Sequence, residues 1–222
     1  MIKLLNTLLV FVICSTFSLI ASSQARVVVV PMGEDVAAAA PLKNIVTVSA
    51  ENGDFDDLIT AMNSITNAGD TNRYLVILGP GNYDLGSTPL YMKSYVDIRG
   101  SGQNVTRISG SRSHPTSDWN AAALIFGADD ATLSNLMVEN TATTGVLSAA
   151  IYNVGTSPTL KNLTLKVHDD GQNRIPVHNT NGASPRIFDS ELLTADSSNG
   201  IYSYNNCHPM VIGSYINGIV YS

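Results

Sequence analysis

A chain of 222 residues has room for one domain, or for one domain with a small cap. Hydrophobic residues make up 44% and charged residues only 14%, which excludes a disordered tail and a heavily charged solvated helix. The formal net charge of −6 argues against nucleic acid as a partner, because a phosphate backbone needs clustered Lys and Arg, and it weakens the case for tight binding of a polyanionic sugar.

Residues 1–25 have the pattern of a secretory signal peptide. Lys3 precedes an apolar run from Leu4 to Ile20, and the small residues Ala21, Ser22, Ser23 and Ala25 follow. The run is barely long enough to span a bilayer and is broken by Ser15, Thr16 and Ser18, so cleavage is favoured over an uncleaved anchor. The mature chain is then expected to be secreted, periplasmic or at the cell surface, with no stable membrane insertion. Only Cys207 would remain after cleavage. One thiol forms no internal disulfide, and this one reads as a buried small residue rather than a nucleophile.

Residues 26–45 read as a leader interrupted by Pro31 and Pro41, and residues 46–222 as the folded domain. The stretch VTVSAENGDFDDLITAMNSITNAG holds one helix. Asp54 is the expected N-cap, Leu58, Ile59, Met62 and Ile65 form its apolar face, and Gly69 ends it. Beyond Gly69 the helical period disappears, and short β-rich runs such as YLVILG and YVDIRG alternate with Gly, Pro, Asn and Ser.

Four later segments align without gaps: ATLSNLMVEN from Ala131, PTLKNLTLKV from Pro158, PRIFDSELLT from Pro185 and PMVIGSYING from Pro209. One column holds Leu133, Leu160, Ile187 and Val211, another Val138, Leu165, Leu192 and Ile216, with a variable column of Met137, Thr164, Glu191 and Tyr215 between them. Preceding strands start at Leu124, Ile151, Val177 and Ile201. Apolar columns recurring at about two dozen residues imply a solenoid, in which like positions stack about 4.8 Å apart. Asn135, Asn162 and Asp189 share a column suited to left-handed bends. A β-sandwich is the competing fold, but its hairpin turns are scarce here. The expected fold is therefore all-β, a right-handed parallel β-helix with an N-terminal capping α-helix.

From about Val46 to Thr144 the sequence resembles the pectin-lyase-like β-helix superfamily, and pectin methylesterases in particular. The segments that carry the resemblance are IVTVSAENGDFDDLITAMNSI, YLVILGPGNYDL, YVDIRGSGQNVTRISGS and AALIFGADDATLSNLMVENTAT. These are framework residues, and they imply the fold rather than the chemistry. Leu85 stands where the family's Pro-Gly-x-Tyr turn continues to a Glu. The family's catalytic segments depart further: LSAAIYN lacks the Gln, Asn199 takes the place of the nucleophilic Asp, and the Arg segment is missing. In VHDDGQN, Asp169 or Asp170 could stand in for the acid/base, although adjacent residues of a strand face opposite ways and the following Gly171 suggests a solvated loop. His168 beside them is weak evidence for a metal, and neither a metal nor another cofactor is expected.

Tyr152, His178 and Tyr202 fall at equivalent positions of three successive coils. Such a ladder of planar side chains could stack on sugar rings, with Asn153 and Asn179 supplying hydrogen bonds, or it could merely shield the sheet. Three functional readings follow. The leading one is a non-catalytic exported β-helix that presents a surface to a polysaccharide or a partner. The second is a pectinesterase-like or lyase-like enzyme, and the third a structural or adhesive array that self-associates through its uncapped C-terminal coil.

Overall fold

The computed structural model describes residues 44–168, 173–194 and 198–221. The expected signal peptide and most of the leader, as well as Asp169 and Asp170, lie outside the described residues.

The chain opens with β1 (Asn44–Val48), a short helix α1 (Leu58–Ser64) and β2 (Tyr74–Leu78). There follow β3 (Gly81–Asp84), β4 (Leu90–Tyr91), β5 (Val96–Arg99) and β6 (Thr106–Gly110), then α2 (Trp119–Ala122) and β7 (Ala123–Phe126). The middle coils comprise β8 (Thr132–Asn140), β9 (Ser148–Val154), β10 (Thr159–Val167) and β11 (Arg174–Thr180). The last comprise β12 (Arg186–Phe188), β13 (Glu191–Leu193), β14 (Asn199–Ser203), β15 (Met210–Ile212), β16 (Tyr215–Asn217) and β17 (Ile219–Tyr221).

Every strand pairing among these elements is parallel, and each joins one coil to the next. The larger sheet runs β1-β2-β5-β8-β10-β12-β15 with β3, β6, β13 and β16 alongside, and the smaller runs β4-β7-β9-β11-β14-β17. Together they make a right-handed parallel β-helix, as the repeat spacing implies.

The columns read from the repeats stack in register. Leu133, Leu160, Ile187 and Val211 are successive partners, as are Val138, Leu165, Leu192 and Ile216. The first column continues upstream through Ile98, Val76 and Val46, and the second through Ile108 and Tyr83. A third column in the smaller sheet stacks Leu90, Ile125, Ile151, Val177 and Ile201. Its upstream rung is Ile125, not Leu124. Nearly all of these side chains are fully buried and belong to one contiguous core. The energetic unit is therefore a rung, held by the backbone ladder along the axis and by apolar contact with the rungs above and below.

Bends are fixed by residues that accept left-handed backbone. Asn135, Asn162 and Asp189 have φ of 56°, 52° and 49°, and Asn162 Nδ2 donates to Asn135 Oδ1 at 2.7 Å. In the same column Gly100 has no room for a side chain, since a Cβ there would lie 2.5 Å from the Asn135 carbonyl oxygen.

Helix α1 is shorter than expected and its cap differs. The N-cap is Asp57, whose carboxylate accepts from the Thr60 N–H at 2.6 Å, and the helix ends at Ser64 with Lys93 Nζ donating to the Met62 and Ile65 carbonyls. Asp54 instead accepts from the Thr47 N–H and hydroxyl, which also holds its carboxyl below the usual range. Its position in Gly-Asp-Phe is thus explained by locking β1 to the following turn. Leu58, Met62 and Ile65 join the core. The Tyr83 hydroxyl donates to the Val48 and Gly79 carbonyls, while Leu85 packs into the core.

A hydrogen-bonded column runs inside the coils. Asn153 Nδ2 donates to Asn179 Oδ1 at 2.8 Å and Asn179 Nδ2 to Ser203 Oγ at 3.0 Å, with all three side chains buried. The next residue down the column is Gly127, where a Cβ would meet Asn153 Oδ1 at 2.0 Å. Replacing Asn179 by Ala strips partners from two buried groups at once and is expected to lower stability by about 2–3 kcal/mol. Urea unfolding checks this, and a cost below about 0.5 kcal/mol would contradict the column's role.

Candidate functional site

Strands β7, β9, β11 and β14 turn one residue of each rung inward and the next outward. With Ile125, Ile151, Val177 and Ile201 inside, their successors Phe126, Tyr152, His178 and Tyr202 line the outer face. The register adds Tyr91 before Phe126 and Tyr221 after Tyr202, giving a six-rung ladder across all six strands of the smaller sheet. Successive ring centroids lie 4.7, 5.9, 4.8, 5.4 and 4.9 Å apart. Three of these contacts, Tyr91 with Phe126, Tyr152 with His178 and Tyr202 with Tyr221, are stacked. That spacing is the coil repeat itself, so the fold imposes the ladder.

The ladder is open at its ends and covered in its middle. Tyr91 and Tyr221 are more than half exposed, whereas Tyr152 is 6% and His178 0% exposed. Trp119 supplies the cover. It opens the four-residue helix α2, capped by Asp118, and its indole meets His178 edge-on at 4.2 Å and Tyr152 at 6.5 Å. Arg112 anchors the same connection by donating to the Ser87, Asn120 and Ala123 carbonyls, and the His114 backbone pairs with that of Leu147. Tyr204 also stacks on His178, at 5.5 Å.

The electrostatics are those of a dry aromatic layer. Burial pushes the His178 imidazole down to about 3, so the ring is neutral over the whole ordinary pH range. Both of its nitrogens are buried and without a partner among the described residues. Burial, reinforced by the Tyr204 hydroxyl, pushes the Tyr152 phenol up to about 12. The charged groups that act on these rings are Arg112, on Tyr91, and Asp118, on Tyr152.

The structure separates the residues singled out from the sequence. Tyr152, His178 and Tyr202 do share one row, but only Tyr202 keeps part of its surface open. Asn153 and Asn179 point into the coil, fully buried and joined by one hydrogen bond from Asn153 Nδ2 to Asn179 Oδ1, so they are not surface groups. This is a correction that strand alternation already implies, because the residue after an outward Tyr or His faces inward. Asp169 and Asp170 lie outside the described residues. Asn199 begins β14 with its side chain half-buried.

A second cluster carries charge on the outer face of the larger sheet. The buried Glu139 carboxylate meets Arg107 at 2.6 Å, His168 at 2.8 Å and Lys166 at 3.0 Å. Burial alone would raise this carboxyl, but hydrogen bonds from Lys166 and His168 with the charges of Lys166 and Arg107 bring it below its ordinary value. His168 is thereby a hydrogen-bond partner of Glu139. Among the described residues no group of three or more His, Cys, Asp or Glu is placed to hold a metal ion. Cys207 is buried, with Sγ 3.0 Å from the Tyr204 carbonyl oxygen.

No family model matches the sequence, and no curated protein matches it. Solved structures do. The pectin methylesterase of Aspergillus niger superposes with a TM-score of 0.53 at 12% identity, over 76% of this chain and 67% of that one. The pectin methylesterase of Yersinia enterocolitica gives 0.51 at 14% identity, over 71% and 55%, and that of Erwinia chrysanthemi 0.47 at 12%, over 67% and 53%. This chain therefore spans little more than half the length of the two bacterial enzymes. At such identities the likeness defines a class by architecture: the chain is a right-handed β-helix of the pectin-lyase-like fold.

Proposed function

We propose that the chain is an exported, non-catalytic β-helix protein whose aromatic face binds polysaccharide. The observation that supports this is the six-rung ladder from Tyr91 to Tyr221, since planar rings at a fixed repeat suit successive sugar rings of an extended glycan. Export rests on the signal-like residues 1–25. The test is affinity electrophoresis of the full chain in gels containing plant cell-wall polysaccharides. Tyr202→Ala, which removes a partly open ring, is expected to weaken retention roughly five- to tenfold with far-UV circular dichroism unchanged. Wild-type protein unretarded by every polysaccharide would contradict the reading.

A carbohydrate-active enzyme is the second reading. It is favoured by the fold shared with proteins named as pectin methylesterases, and Asp169 or Asp170 would be its acid/base candidates. An Asn at position 199 supplies no carboxylate nucleophile, which weighs against it. Methanol release from pectin that is lost in Asp170→Ala would decide for the enzyme.

A further inference from the structure

The buried imidazole of His178 is hard to explain as structure alone. A polar group with two unsatisfied nitrogens costs free energy in an apolar layer, and a Phe or Leu would fill the same space without that cost. Its covers are Tyr204, stacked on the ring, and Trp119, set edge-on against it from a connection whose backbone is tied down on the C-terminal side by Arg112 holding the Asn120 and Ala123 carbonyls. Rotation about the Trp119 χ angles would therefore open the Trp119 side of Tyr152 and His178 without unfolding the connection, with Tyr204 still stacked on the imidazole.

We infer that Trp119 occupies, in the free protein, the place of a neutral sugar ring over Tyr152 and His178, and that a polysaccharide displaces it to reach the two imidazole nitrogens. The inference rests on the aromatic face being a polysaccharide surface. The uncovered row would run unbroken from Phe126 through Tyr152 and His178 to Tyr202. A neutral imidazole offers one donor and one acceptor, which matches sugar hydroxyls. A uronate carboxylate would be desolvated there beside Asp118, while Arg112, the cation that acts on Tyr91, is already engaged by the Ser87, Asn120 and Ala123 carbonyls, and the chain's net charge of −6 adds to that cost. The site thus selects uncharged sugar units.

Trp119 is the one tryptophan of the chain, so its emission reports on the cover directly. The full chain is titrated with soluble galactan and xyloglucan as neutral probes and polygalacturonate as the acidic one. Trp119 emission and acrylamide quenching are followed, with retention measured in parallel. A neutral probe is expected to be retained, to shift the emission to the red and to make the indole quenchable, with polygalacturonate inert. Trp119→Ala should bind that probe roughly three- to tenfold more tightly, and His178→Leu at least about tenfold more weakly without a lower unfolding midpoint. The wild-type emission carries the test even where Trp119→Ala folds poorly. Retention of a neutral probe with unmoved emission would overturn the displacement while leaving the polysaccharide surface standing. Retention of polygalacturonate alone would overturn the selectivity. Retention of no probe by the wild type or by Trp119→Ala would overturn the polysaccharide surface itself, and this inference with it.

Discussion

Acidification from pH 6.5 to 3 is expected to cost the wild-type protein on the order of 4 kcal/mol of folding stability through His178 alone, a loss that His178→Phe should not show. The unfolded imidazole takes up a proton near pH 6.5, whereas burial holds the folded one at about 3. Above pH 6.5 both states are neutral and stability is at its full value. Between 6.5 and 3 the unfolded state binds the proton and the folded state does not, so stability falls at about 1.4 kcal/mol per pH unit; below 3 the slope from this residue vanishes. The groups packed around the ring are Tyr152, Tyr202, Tyr204 and Trp119, with Asp118 next to the indole, and none of them hydrogen-bonds an imidazole nitrogen to stabilise the imidazolium. Glu139 contributes below its ordinary value of 4.5, in a window that overlaps the lower part of the His178 one and is common to wild type and His178→Phe. Its lowered carboxyl adds stability that is complete above its unfolded value and is lost only as pH falls through the folded one. Urea unfolding from pH 7 to 3.5 checks the expectation, and equal slopes for wild type and His178→Phe would contradict it.

Leu160→Ala is expected to cost about 3–4 kcal/mol. Leu160 is fully buried midway along its column, in register with Leu133 below and Ile187 above, so neither neighbour can move into the void without breaking its own rung. Lys161, the next residue, faces solvent, and Lys161→Ala should change stability by less than about 0.5 kcal/mol. The contrast between adjacent residues is the signature of a strand buried on one side. Urea midpoints with unchanged m-values measure it. Comparable losses for the two variants would contradict the assigned face.

How far the sequence discloses this molecule depends on coil length. Coils from Ala131 onward have nearly equal lengths, so their columns align by eye, and the register follows them residue by residue. Upstream the same column passes from Ile98 to Leu133, an interval of 35 residues, because the connection that carries Trp119 is inserted there. A regular period cannot show through such an insertion. Placing the first rung of the smaller sheet at Leu124 instead of Ile125 has a larger effect, since a shift of one residue exchanges the two faces of a strand. It hides Phe126 as a member of the ladder, and with it the continuity to Tyr91.

Other features of the candidate site leave unequal traces. Asn153 and Asn179 follow outward rungs, so alternation places them inside, as found. Glu139 and Lys166 are register partners 27 residues apart, a signal present in the aligned repeats, whereas Arg107 and His168 join them through side-chain reach that no column records. Trp119 lies in a connection with no period, and only the fold brings it over His178.

Engineered disulfides test the stacking of coils most directly. With both native cysteines replaced by Ser, cysteines are introduced at Thr132 and Thr159, which are register partners on adjacent coils, or at Thr132 and Arg186, which are two coils apart. Adjacent rungs bring Cα atoms to about 4.8 Å, within disulfide range, while two coils place them at about 9.6 Å, beyond it. Mild oxidation of the folded protein is predicted to link the first pair and not the second. Efficient linkage of the second pair, or of neither, would contradict a chain wound as superposed coils.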